Sequence, residues 1–116
     1  MKPFPPPTTD LAERILGEVG FQDRLIGHRM RRRMGPVPVS LYSFEEVVHF
    51  LSEDIPQIDL DDLRVWVGEK IGDKDLARAI EEISRKEMND PEKALHIRSL
   101  MAARLLQSKR IGRPRS

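Results

Sequence analysis

The chain has 116 residues, with 20 Lys and Arg against 19 Asp and Glu, for a formal net charge of +1. That balance excludes a uniformly basic nucleic-acid binder and an acidic, self-repelling disordered chain. With no cysteine, disulfides, thiolate nucleophiles and cysteine-held zinc or iron–sulfur centres are excluded as well.

Apolar residues make up 39% and only six residues are aromatic, so the expected core is Leu, Ile, Val, Ala and Met. No apolar run approaches the roughly 18–20 residues of a membrane span, and none forms a signal-peptide core. A single soluble, cytoplasmic domain without membrane insertion is expected. Fourteen Arg against six Lys, with one Asn and three Gln, also suit a heat-adapted protein.

Residues Met1 to Thr9 contain Pro3, Pro5, Pro6 and Pro7, and read as an extended, disordered leader. Asp10 followed by Glu13 predicts a helix start, with Leu11, Ile15 and Val19 recurring on one face. Between Phe21 and Met34, Phe21, Leu25, Ile26, Met30 and Met34 keep helical spacing. A second helix is therefore predicted, with Met30 and Met34 inward and Gly35-Pro36 as its stop. Residues 35–40 read as an extended connector, at most one short edge strand.

Ser43 with Glu46 forms a capping box for a third helix, and Phe44, Val47, Val48 and Leu51 supply its apolar stripe. Asp59 with Asp62 predicts the start of a fourth, carrying Leu63, Trp66 and Ile71 and closed by Gly72. Asp73 caps a fifth, and Asp90-Pro91 opens a sixth. Leu95, Ile97, Leu100, Met101, Leu105 and Leu106 cover a wide arc of that last helix, which is expected to be the most buried. The predicted fold is all-α: a compact bundle of five or six short helices. It places a Pro-rich leader at 1–9, one helical domain at 10–108 and a basic disordered tail at 109–116.

The small net charge conceals a block structure. Residues 21–42 sum to +4, residues 43–62 to −7 and residues 94–116 to +6. One explanation is internal, with basic and acidic helices packing together and screening each other. The sharper one is a partner surface, since a basic patch steers acidic partners and an acidic patch basic ones.

The run Arg29, Arg31, Arg32 and Arg33 is the first candidate surface, because guanidinium forks match carboxylate and phosphate oxygens. Asp59, Asp61 and Asp62 are the second. The tail residues Lys109, Arg110, Arg113 and Arg115 would join Arg31–Arg33 in a nucleic-acid reading. Gly112-Arg113-Pro114 resembles the centre of an AT-hook arm, but Ile111 stands where the motif has an arginine. Glu45, His49 and Glu53 fall on one helical stripe that cannot by itself complete a metal sphere, so no metal is expected. No nucleophile–base pair or phosphate-binding loop is apparent; neither catalysis nor a cofactor is expected. Trp66 is expected to anchor the core.

The stretch Leu63-Arg-Val-Trp66-Val-Gly-Glu-Lys-Ile71-Gly72-Asp73-Lys-Asp-Leu76-Ala77 resembles a small all-helical domain family of unknown function. That family carries a Trp, a hydrophobic residue, Gly-Asp and Leu-Ala at this spacing. The resemblance spans roughly residues 42–107 and implies a helical fold and no catalytic residue. Overall the sequence points to a small helical protein–protein interaction module or assembly subunit, working with a protein partner or as a homo-oligomer. A nucleic-acid-binding accessory protein is the alternative, and a small enzyme or effector-binding domain the third reading.

Overall fold

The structure is a computed structural model that describes residues 5–53 and 57–112. Its organising element is α5, Asp90–Gly112. Ala94, Ile97, Met101, Arg104, Leu105 and Ser108 are buried along one stripe of it, at spacings of three and four residues. Two shorter helices pack on this stripe: α1, Thr9–Leu16, and α2, Phe44–Leu51. Helix α3, Leu60–Val65, runs into a wider π-helical turn, Trp66–Ile71, and α4, Lys74–Ser84, packs against both and against α5. The wide turn ends where the Gly72 N–H donates to the Val67 carbonyl at 3.0 Å and Gly72 adopts φ +90°, which glycine alone adopts without strain.

The helix starts follow local chemistry. Ser43 Oγ accepts from the Glu46 N–H, while Glu46 Oε1 reaches back to the Tyr42 N–H. Asp59 Oδ1 accepts from the Asp61 and Asp62 N–H groups, and Asp73 Oδ1 from that of Leu76. Helix α1 is capped by Thr8, two residues before the expected Asp10. Trp66 is buried, as its spacing implied, and its Nε1 donates to the Asp23 carbonyl at 2.7 Å.

The expected second helix is absent. Residues Leu25–Arg31 form strand β1 and Gly35–Leu41 form strand β2, paired antiparallel from Leu25↔Leu41 to Arg31↔Gly35. The fold is therefore α+β, not all-α. The segment carries two periods at once, and tertiary packing selects the period of two. Leu25 and Gly27 face the core, and a Cβ on Gly27 would lie 2.7 Å from Phe50 Cζ, so only glycine lets the strand approach that ring. The His28 N–H donates outward to the Gln57 carbonyl at 2.7 Å, which fixes His28 and Met30 as non-hydrogen-bonded positions. Opposite them stand Pro38 and Pro36, which have no N–H to lose there.

Two further expectations change. Leu95 and Leu106 are exposed, so the buried stripe of α5 is narrower than predicted. Lys109 and Arg110, read as tail, are inside α5; Arg113 and Arg115 lie outside the described residues, as do Met1–Phe4 of the leader. Pro7 is buried and the Pro5 carbonyl accepts from Arg104. No helix among the described residues is long and apolar enough to cross a membrane.

Arg104 joins these parts. Its side chain is 2% exposed, and it grips Asp73 through Nε–Oδ2 at 2.7 Å and Nη2–Oδ1 at 3.2 Å. Nη1 donates to the Pro5 carbonyl at 2.7 Å and to Gln107 at 3.1 Å. Replacing Arg104 by Met leaves the Asp73 carboxylate buried without its counter-ion, and is expected to cost about 3–5 kcal/mol in urea unfolding. A loss below about 1 kcal/mol would show that the pair does not determine the fold.

Candidate interaction surface

The hairpin projects its charge at one point. Arg31↔Gly35 closes the ladder, leaving Arg32, Arg33 and Met34 as a three-residue loop in which the Met34 N–H donates to the Arg31 carbonyl at 3.2 Å. Arg33 adopts φ +68°, a left-handed conformation costing a non-glycine residue roughly 1–2 kcal/mol. Arg31, Arg32 and Arg33 are all exposed. The methionines beside them were expected inside a helix; they are instead 56% (Met30) and 72% (Met34) exposed. The alternation that turns Arg29 and Arg31 toward the core side turns Met30 to the opposite face, with Pro36 and Pro38.

Not every arginine of this block is available. Arg24 lies 3.8 Å above the centroid of the Phe21 ring and bonds the Phe21 carbonyl and Ser40 Oγ. Arg29 binds Glu53 with both carboxylate oxygens, at 2.8 and 3.1 Å from Nε and 2.7 Å from Nη2. The hydrogen bonds from Arg29 hold Glu53 below the usual carboxylate range, and Arg29 is correspondingly raised. Among the described residues, no acidic group lies within ion-pair distance of Arg31, Arg32 or Arg33. The candidate contact set thus divides into Arg29, which anchors on Glu53, Arg31, whose charge also helps hold the Glu53 carboxyl low, and Arg32 and Arg33 at the turn.

The acidic candidates gather at the start of α3. Asp59 is occupied as its cap, and Asp61 lies 3.9 Å from Arg64, while Asp62 is exposed. All three suit the positive end of the helix dipole. Asp59 and Asp61, with Asp90 at the start of α5, also line a groove of about 590 Å³ whose walls include Ile58, Leu60 and Ala94. Gln57, the residue that bonds His28 of β1, lines it too.

The tail residues are elsewhere. Lys109 pairs with Glu45 at 3.1 Å, at the first turn of α2, whereas Arg29 pairs with Glu53 just beyond its last turn. The two ion pairs therefore sit toward opposite ends of α2. Of the nucleic-acid set, Arg31–Arg33 stand at the hairpin turn and Lys109 and Arg110 on the last turns of α5, while Arg113 and Arg115 lie outside the described residues. The Glu45–His49–Glu53 stripe is likewise divided between these two ion pairs, and no group of three or more metal-ligating side chains occurs among the described residues. Sequence reasoning missed the exposed Met30 and Met34; the signal was the closely spaced Gly35, Pro36 and Pro38, which suit an edge strand and a turn better than a helix end.

Two outcomes follow for the hairpin. Glu53 has a lowered folded-state pKa, so the support of its pair with Arg29 is present above the unfolded carboxylate value and lost as pH falls through the folded one. Glu53→Gln, or acidification of the wild type, is expected to lower amide protection at Arg29 and Val37 while changing global stability by less than about 1 kcal/mol. Unchanged protection would show that the pair does not hold the arm. Arg33→Gly relieves the left-handed strain and is expected to raise stability by up to about 1 kcal/mol; a loss of that size would mean the guanidinium holds the turn.

The chain matches none of the family models, curated proteins or solved structures with which it was compared.

Proposed function

We propose that this protein is a small interaction module that recognises an acidic protein surface, as part of a larger assembly or a homo-oligomer. The observation that carries this reading is the hairpin tip: three exposed arginines that form no ion pair among the described residues, although Arg31 lies in the field of Glu53, set in the chain between the exposed side chains of Met30 and Met34. Arginine with polarisable methionine is a combination enriched at interface cores, where forked donors fix carboxylates and the thioether adapts to the surrounding shape.

A nucleic-acid duplex is the second reading, because a two-stranded ribbon fits a major groove and arginine binds phosphate. The neighbourhood of the arm favours the protein partner. Glu53 sits beside Arg29, and Gln57, on the outer edge of β1, leads directly into the acidic start of α3. A long polyanion lying along the arm meets that negative charge, while a compact acidic site meets only the tip.

The test is affinity capture with and without nuclease, using wild type and an Arg31→Glu/Arg32→Glu/Arg33→Glu variant. Protein partners are expected to survive nuclease and to be lost in the variant, with an unfolding midpoint close to wild type. Binding to duplex DNA or RNA whose log affinity falls with log salt at a slope of about −3 would replace this reading with the nucleic-acid one.

A further inference from the structure

Resting on that reading, we infer that the acidic surface taken by the hairpin tip is the Asp59–Asp61–Asp90 groove of a second copy of this chain. The groove has what the tip lacks. It is lined by Asp61, Asp90 and the cap residue Asp59, and by Ile58, Leu60 and Ala94, which give Met30 or Met34 an apolar seat. Its volume of about 590 Å³ is room enough for the side chains of such a tip. Within one copy the two surfaces do not meet: neither Asp61 nor Asp90 pairs with Arg31, Arg32 or Arg33, and Asp61 approaches only Arg64.

Placement allows the contact to be exchanged. Gln57 lines the groove and also binds His28, three residues before Arg31 on β1, so groove and tip flank the same short piece of structure. Two copies related by a two-fold axis then each place a tip in the other's groove, which closes the assembly as a dimer. Association by sheet extension is disfavoured on the β2 side. Pro36 and Pro38 stand at the outward-facing positions of that strand and offer no N–H to an incoming one.

The full chain is examined by sedimentation equilibrium from low to high salt. A species of about 27 kDa, twice the 13.4 kDa chain, is expected at low salt and is expected to dissociate as salt rises. Arg31→Glu/Arg32→Glu/Arg33→Glu and, separately, Asp61→Lys/Asp90→Lys are each expected to raise the dimer dissociation constant by about 100-fold or more. An equimolar mixture of the two variants is expected to restore the dimer, because the reversed tip then faces the reversed groove and the native tip the native groove. Asp59 is left intact because its carboxylate caps α3. If the lysine variant unfolds, Asp61→Asn/Asp90→Asn takes its place, with a smaller rise in the dissociation constant expected. A wild type that stays monomeric at low salt overturns the inference, as does a dimer that neither variant weakens, or a mixture of the two charge-reversed variants that stays monomeric. A monomeric wild type that still captures a protein partner through Arg31–Arg33 overturns this inference alone. A wild type that neither dimerises nor captures a protein partner overturns the proposed function as well.

Discussion

Everything else in this molecule is arranged around one buried ion pair. The forked guanidinium of Arg104 meets Asp73 in a bidentate geometry and spends a further nitrogen on the Pro5 carbonyl. The same aspartate caps α4, and its own N–H donates to the Val67 carbonyl at the exit of the π-helical turn. Three parts of the chain that are distant in sequence, at Pro5, Val67–Leu76 and Arg104, therefore share a single network. Such a pair contributes little net stability relative to an apolar replacement, because desolvating both ions is costly. What it supplies is orientation: a planar fork accepts a carboxylate in few ways, so α5 is fixed in rotation and height against the start of α4. The hydrophobic stripe of α5 tolerates small slides; the ion pair does not.

That arrangement explains why the helical half of the fold was legible in the sequence and the hairpin was not. Helix starts are local events. Ser43, Asp59 and Asp73 each announce one, and each caps the helix expected of it. The segment from Leu25 to Leu41 is decided at long range. Its helical spacing is real, but Phe50 lies where only Gly27 can approach it, and the Gln57 carbonyl takes the His28 N–H. Neither partner is near in sequence. Arg104 was illegible for the same reason: it counts as one more positive charge in a basic C-terminal block until its counter-ion, 31 residues away, is in place. Asp73 was visible as a cap and invisible as a counter-ion.

The charge blocks resolve in a way that neither simple explanation anticipates. They do meet within the chain, at Arg29–Glu53 and Lys109–Glu45, but each meeting uses one residue from a block and leaves the rest. Glu46 and Asp59 are occupied as caps, and Arg104 is inside the core. Among the described residues, the block charge outside these pairs includes Arg31–Arg33 at the turn, Arg98 and Arg110 on α5, and carboxylates where α3 and α5 begin. Internal pairing takes up part of the block charge, and a basic turn and an acidic helix start stand out in what it leaves.

Nothing in the geometry of the turn requires arginine at its tip. A turn closed through a left-handed residue is satisfied by glycine without cost, yet Arg33 occupies that position. Methionines that would be buried at little cost are held outside, and both outward positions of β2 beside them are proline. Proline at those sites blocks the commonest unwanted association of an exposed hairpin, which is pairing along its edge. An arm protected along its edge and strained at its end can present the end alone. Anchoring by Arg29 on Glu53 and by His28 on Gln57 then reduces the freedom the arm would lose on binding, so its arginines at the turn are offered in a largely preorganised form.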